Sequence, residues 1–277
     1  MLSKSNKIAR LKRILKGMNK VVLAFSGGVD STFLLKIAVD TLGKDNVLAV
    51  IAKSLTYPKR EYEHAKALAL KLGVNFMIIK TKEAENENFL KNPVDRCYYC
   101  KKELFEKLAS IAEKKGFNFV IDGFNYDDIR DIRYGSVAAK EFGVRSPLSE
   151  ARIGKKDIRR FSRKLSLSTW DKPSFACLAS RFPYNHRITK QTLKKIGKAE
   201  EFLYRQGFRQ VRVRLHDDIA RIELFSNDIN RILINQMLRK NIVKKLKQLG
   251  FFYVTLDLEG YRTGSMNEVL KRHPIIR

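Results

Sequence analysis

Residues 19–40 read "NKVVLAFSGGVDSTFLLKIAVD". The apolar run "VVLAF" (21–25) has the length and composition of a buried parallel strand, and a helix is expected from about Ser31 to Leu42. Between them lie Ser26, Gly27, Gly28, Val29, Asp30 and Ser31. Two glycines let a ligand approach the backbone closely. Backbone N–H groups, the hydroxyls of Ser26 and Ser31 and a helix N-terminus all favour phosphate. Asp30 can place a magnesium ion. A loop of the form G-x-x-x-x-G-K-S/T would add a lysine that reaches the terminal phosphates. No lysine stands here, which turns the expectation away from γ-phosphoryl transfer.

Outward from the loop, strand-like runs alternate with helix-like ones. "VLAVIA" (47–52), "VNFMIIK" (74–80) and "FNFVID" (117–122) read as strands; 59–72, 99–115 and 127–142 read as helices. Such alternation predicts an α/β fold, an open parallel sheet with flanking helices and right-handed crossovers. Ligands then sit beyond the carboxyl ends of the strands. The glycine loop, "DGFNYDD" (122–128) and the turn after Ala52 would converge there. The polar stretch from Thr81 to about Arg96 lacks a period and is expected to cover a site. Asp127 and Asp128 stand where caps of the following helix would stand.

The pattern breaks in "WDKPSFACLASRFPYNHR" (170–187). Beyond it the order is helix 189–206, strands 209–215 and 219–225, helices 227–236 and 238–249, and strand 251–257. We therefore expect a nucleotide-binding domain over 1–170, a linker over 171–188 and a small C-terminal α+β domain over 189–277.

Composition narrows the function classes. At 277 residues and 44% apolar, the chain can bury a core. Its formal charge of +27 suits a polyanionic partner, or else reflects lysines coating every solvated face. No run approaches the roughly 20 apolar residues of a membrane span. The opening "MLSKSNKIARLKRILKGMNK" lacks a signal-peptide core, and Ile8, Leu11, Ile14 and Leu15 have the spacing of a packing helix. A cytoplasmic location without membrane partners is expected. Three cysteines, an odd number, then suggest metal binding or catalysis before a disulfide framework.

Cys97 and Cys100 lie in "DRCYYCKKELF" and Cys177 in "PSFACLASR". A C-x-x-C pair at a helix start can reach one metal, and the helix N-terminus favours thiolates. Zinc would need a fourth ligand, such as His186. A Cys97–Cys100 disulfide would leave Cys177 over. An iron–sulfur cluster with three protein thiolates would keep one iron open for an extra sulfur ligand.

"SGGVDS" resembles the loop of the PP-loop ATP pyrophosphatase superfamily, whose members split ATP between the α and β phosphates. Together with "NPVDRCYYCKKELF", "DGFNYDDIRDIRYG", "GVRSPLSEARIGKKDIR", "TWDKPSFACLASRFPY" and "GYRTGSMN", it is similar to the LarE-type sulfur transferases along nearly the whole chain. The resemblance implies an adenine nucleotide alpha hydrolase-like domain and an ATP-dependent enzyme of nickel-pincer nucleotide (lactate racemase cofactor) biosynthesis. Its substrate would be pyridinium-3,5-dicarboxylate mononucleotide, adenylated on a carboxylate and converted to a thiocarboxylate. Family members with only the cysteine matching Cys177 sacrifice its sulfur. Those with all three bind a 4Fe-4S cluster, so the resemblance implies a cluster on Cys97, Cys100 and Cys177, with sulfide or another donor supplying sulfur.

Carried over by position, Ser26, Gly27, Gly28, Asp30 and Ser31 would bind ATP phosphates and Mg2+, with Gly123 and Arg130 beside the nucleotide. Asp30, Lys101 and Cys177 would serve catalysis, Lys101 by neutralising substrate charge. Ser180, Arg181, Arg212 and Arg214 would hold the substrate phosphate; Arg212 and Arg214 alternate along a strand and so share a face. Glu200 and Glu223 match acidic positions that would hold a divalent ion, although Glu200 in "GKAEEF" also reads as a helix-surface acid. A homo-oligomer is implied. The rival reading is a PP-loop tRNA-thiolating enzyme, which the charge would suit. The missing extra C-x-x-C pairs and the C-terminal "TLDLEGYRTGSMN" count against it, making nucleic acid the less expected partner.

Overall fold

The computed structural model of the chain describes residues 4–130, 134–268 and 270. Four short apolar strands, β1 (Val21–Ala24), β2 (Val47–Lys53), β3 (Phe76–Lys80) and β4 (Phe119–Ile121), pair in parallel in the order β3-β2-β1-β4. The connections carry helices α1 (Lys4–Lys16), α2 (Val29–Leu42), α3 (Lys59–Lys71), α4 (Glu87–Leu90), α5 (Arg96–Lys114), α6 (Gly135–Glu141), α7 (Pro147–Glu150) and α8 (Lys155–Lys164).

Side chains alternate across a strand, so each strand serves two cores. Val21, Leu23, Val47, Ala49 and Ile51 pack with Leu11 and Leu15 of α1, Phe33 and Leu34 of α2, Ala65 of α3 and Ile158 of α8. Val22, Leu48, Val50 and Val120 pack with Phe105 and Leu108 of α5 and Ala138 of α6. Both sheet faces are covered, which is why the strands read as continuous apolar runs rather than alternating ones. The chain runs outward from β1 to β3 and then returns to the other side of β1 as β4. The carboxyl ends of β1 and β4 thus form the switch point at which open α/β sheets bind ligands.

Several element boundaries differ from the sequence expectation. Helix α2 begins at Val29 with Gly28 as its N-cap, so Asp30 and Ser31 lie inside the first turn. Helix α5 begins at Arg96, which puts Cys97 in its first turn and Cys100 just beyond it. The helix expected over 127–142 is a 3-10 turn, Tyr126–Arg130, followed by α6; residues 131–133 of that span lie outside the described residues. The span 81–96 holds a 3-10 turn, Glu83–Glu85, and α4. Helices α7 and α8 had no counterpart in the sequence reading.

The chain divides into two compact units, Met1–Phe89 with Val94–Phe175, and Leu90–Pro93 with Ala176–Arg277. In the second, helix α9 (Lys190–Arg205) starts in a capping box in which Thr189 accepts from the Thr192 N–H. Its buried stripe is Leu193, Ile196, Ala199, Glu200 and Leu203. Strands β5 (Val211–His216) and β6 (Ile219–Leu224) are antiparallel, and β7 (Tyr253–Leu256) joins β6 in parallel. Helices α10 (Ser226–Ile234) and α11 (Gln236–Gln248) lie between β6 and β7 in sequence. The stretch 90–93 belongs to this unit because Asn185 N–H donates to the Asn92 carbonyl at 2.9 Å and Ile188 N–H to the Leu90 carbonyl at 2.8 Å. Among the described residues no helix is long and apolar enough to cross a membrane.

A buried ion pair anchors this unit: Arg181 Nε lies 2.6 Å from Glu200 Oε1, with the guanidinium fully buried. Removing one partner of such a pair strands a charge, whereas replacing both is much cheaper. Arg181→Met is therefore expected to destabilise the unit by ~3–5 kcal/mol. Adding Glu200→Leu should recover most of that loss; urea unfolding of both variants checks this.

Candidate active site

The glycine loop closes on itself through hydroxyls. Ser26 Oγ and Ser31 Oγ are 3.1 Å apart, and Ser31 Oγ donates to the Gly28 carbonyl at 3.3 Å. Gly27 has φ +64°, a left-handed conformation that glycine adopts without penalty. A Cβ there would stand 2.8 Å from Ala65 Cα, so the loop lies directly against α3. A Cβ on Gly123, after β4, would come within 3.0 Å of Ser31 N. The Gly123 backbone thus touches the start of α2. The turn after β2 reaches the loop as well, since Tyr57 hydroxyl donates to the Ser26 carbonyl at 2.5 Å. The convergence expected at the carboxyl ends of β1, β2 and β4 is present within the unit.

Asp30, in the first turn of α2, accepts from Lys155 Nζ through Oδ2, while its Oδ1 is buried without a hydrogen-bond partner. Burial raises the Asp30 pKa above its ordinary 3.8; Lys155 opposes the rise and Asp128 adds to it. An orphaned buried carboxylate oxygen beside a phosphate-type loop suits a magnesium ligand. Asp127 caps a helix, but a distant one: its Oδ2 accepts from Lys155 N–H at 2.7 Å, at the start of α8 rather than α6. Asp128 accepts from Asn125 N and Nδ2 at 3.0 and 2.8 Å.

Lys101 projects from α5, with its ammonium 5.2 Å from the centre of the Phe105 ring. Its stem packs on Gly135, where a Cβ would meet Lys101 Cγ at 3.0 Å. Burial raises the pKa of Asp122, and the Lys101 charge is the largest opposing influence. Arg130 ends the 3-10 turn, and its side chain lies outside the described residues. Cys97 and Cys100 are one helical turn apart on α5 and share a face. Cys97 is exposed, Cys100 and Cys177 are half-buried, and all three are thiols rather than disulfides. Among the described residues no group of three or more His, Cys, Asp or Glu side chains is positioned to hold a metal ion. The His186 ring, exposed, lies 3.9 Å from Asp217.

In the second unit, the residues after Cys177 join a network of buried charges. Arg181 Nη1 donates to Ser180 Oγ at 2.6 Å and to the Ala176 and Cys177 carbonyls, each at 3.1 Å. Glu200 accepts from both Arg181 and the Val213 N–H. Burial is the largest influence and raises its pKa, but Arg181, Arg212 and the Val213 N–H together outweigh it and the net shift is downward. Arg214 forms a two-point pair with Glu223, 2.9 Å at each contact, and donates to the Ser180 carbonyl at 2.5 Å. Burial, aided by Arg181, lowers the Arg212 pKa to about 10, and its guanidinium stacks 5.3 Å from the Tyr261 ring. Ser180, Arg181, Arg212, Arg214, Glu200 and Glu223 are thus brought together. Glu200 is no helix-surface acid, being only 4% exposed. The oxygens of both glutamates already accept from arginine, so a divalent ion there would have to replace guanidinium contacts.

Sequence reasoning passed over Lys155, Tyr57, Glu61 and Lys172, all near the loop. Lys155 was hidden because α8 went unread. Tyr57 and Lys172 donate to backbone carbonyls and Glu61 pairs with Lys172, roles that no motif encodes.

Residues 5–95 match the NAD synthase family model. A fragment of 67 residues is 51% identical to the glutamine-dependent NAD(+) synthetase of Aquifex aeolicus, covering 24% of this chain and 12% of that protein. Two matches run almost end to end. An uncharacterized protein of Synechocystis sp. is 44% identical over 96% of this chain and 99% of its own length. The pyridinium-3,5-bisthiocarboxylic acid mononucleotide synthase of Lactiplantibacillus plantarum is 40% identical over 98% of each. The chain belongs to the LarE family of ATP-dependent sulfur transferases. As a PP-loop enzyme of that family it uses ATP with magnesium. The short NAD synthetase matches reflect the shared loop, whereas the LarE match continues through the second unit.

A metal ion held by Asp30 would compete with a proton for the same oxygens. Magnesium–ATP affinity should therefore climb with pH through a range above that of an exposed aspartate, then level off once Asp30 is ionised. Asp30→Asn should flatten that profile and weaken magnesium–ATP binding more than about tenfold. Calorimetric titrations across pH check both outcomes.

Proposed function

We propose that the chain activates a carboxylate of pyridinium-3,5-dicarboxylate mononucleotide with ATP and converts it to a thiocarboxylate, once on each carboxylate, for nickel-pincer nucleotide assembly. The observation that carries this reading is the match to the named synthase over 98% of both chains, which extends through both units. In the first step the substrate carboxylate attacks the α-phosphorus and pyrophosphate leaves. In the second a sulfur nucleophile attacks the acyl carbon and AMP leaves. Ser26, Gly27, Gly28 and Ser31 would bind the phosphates through N–H and hydroxyl donors, with Gly123 and Arg130 beside the nucleotide. Asp30 would hold magnesium, which offsets phosphate charge when bound.

Three buried guanidiniums, Arg181, Arg212 and Arg214, face two buried carboxylates, Glu200 and Glu223. That surplus of positive charge, with Ser180, would receive the substrate phosphate. Lys101, whose charge acts on the half-buried Asp122, would neutralise substrate charge near the reacting carboxylate. The donor set of Cys97, Cys100 and Cys177 suits a 4Fe-4S cluster with one iron open to a non-protein ligand. Such a cluster supplies a sulfide nucleophile when bound, replenished by sulfide or another sulfur donor. A homo-oligomer would cover the exposed apolar side chains Ile234, Met237, Phe252 and Leu258 of the second unit.

Reconstituted without oxygen, the wild-type chain should hold about four irons, and Cys97→Ala should lose them and its brown colour. Given ATP, sulfide and the dicarboxylate mononucleotide, it should form the thiocarboxylate, read by mass spectrometry. Colourless protein carrying one zinc would contradict the cluster. Turnover stimulated by tRNA and not by the pyridinium nucleotide would contradict the substrate.

A further inference from the structure

A planar trans peptide ties each carbonyl to the N–H that follows it, and the two point in opposite directions. Whatever grips the carbonyls of the glycine loop therefore also aims its N–H donors. Two side chains grip consecutive carbonyls. Tyr57 hydroxyl donates to the Ser26 carbonyl at 2.5 Å, and Lys172 Nζ donates to the Gly27 carbonyl at 3.1 Å. The corresponding N–H groups belong to Gly27 and Gly28.

Both grips are themselves held. The Lys172 ammonium lies 2.8 Å from Glu61 Oε2, in the first turn of α3, with side chains only 18% and 8% exposed. Tyr57 packs edge-on against Phe175, ring centres 5.6 Å apart. A buried ion pair returns little net stability, so folding alone is a weak reason to keep Lys172 and Glu61 here. The close contact of Gly27 with Ala65 puts α3 at the back of the loop, with Glu61 in its first turn and Tyr57 just before it. The loop has no lysine of its own; Lys172, which holds its backbone, comes from "DKPSFAC", the stretch leading into Cys177.

We propose that Tyr57 and Lys172 are positioning residues that aim the loop's N–H groups at the ATP phosphates by pinning the Ser26 and Gly27 carbonyls, with Glu61 fixing Lys172. This rests on the reading of the loop as the ATP site and adds what sets its shape. Neither side chain has to touch the nucleotide. Pinning from behind holds the donors in place before ATP arrives, so less ordering is left to binding.

Two variants separate this role from a general loss of structure. Tyr57→Phe removes one hydroxyl and keeps the ring against Phe175. Lys172→Met with Glu61→Gln removes the ammonium without stranding a carboxylate. Calorimetry would compare a non-hydrolysable ATP analogue with magnesium, pyrophosphate and adenosine on the full chain. Each variant should bind the analogue and pyrophosphate about tenfold more weakly, the loss of roughly one well-placed hydrogen bond, while adenosine affinity stays unchanged. Combining the variants should cost less than the product of the two losses, because both act on one loop. Analogue affinity within twofold of wild type in both variants would overturn the proposal and leave the ATP site standing. An equal loss for adenosine would overturn it too, by showing general disruption. Failure of the wild-type chain to bind the analogue would instead remove the ATP site on which the proposal rests.

Discussion

The contact between Gly27 and Ala65 constrains the whole nucleotide-binding unit. With no Cβ and φ +64°, Gly27 lets the turn between β1 and α2 lie on α3 at a distance no side chain would permit. From there α2 can begin at Val29, presenting the N–H groups of its first turn, which have no partner within the helix, beside the loop. Gly123 closes the other side by backbone contact with Ser31. The loop is therefore built from three strand ends of one sheet, and its chemistry follows from the order β3-β2-β1-β4.

The second unit solves a different problem. Five charged side chains lie buried among the strands and the segment after Cys177, and each glutamate is met by arginine at hydrogen-bond distance. Such an arrangement is poor value for stability, since apolar side chains would pack at lower cost. Its net positive charge is the ground on which we propose it as a receptor for the substrate phosphate. The lowered pKa of Arg212 expresses the same strain: burial and the neighbouring Arg181 both disfavour its charge.

Much of this was legible in the sequence, and what was not has physical causes. Strands covered on both faces announce themselves as apolar runs, so β1 and β2 were readable directly. The start of α2 was misplaced because Gly28 caps the helix without a side-chain hydrogen bond. Helix α8 escaped because "KKDIRRFSRK" carries only Ile158 and Phe161 as apolar anchors among charges. Asp127 was readable as a cap, but its helix begins 28 residues later, a partnership only the fold can make. Arg212 and Arg214 were correctly placed on one strand, whereas the burial of Glu200 depends on Arg181 reaching it from another element. Tyr57 and Lys172 carry no motif because they hold backbone, not ligand.

The loop without a lysine and the family of the chain are the grounds for proposing chemistry at the α-phosphate. Phosphorus NMR of ATP turnover, with the dicarboxylate mononucleotide and sulfide present, tests that proposal most directly. AMP and pyrophosphate should appear in equal amounts. ADP and inorganic phosphate would contradict it.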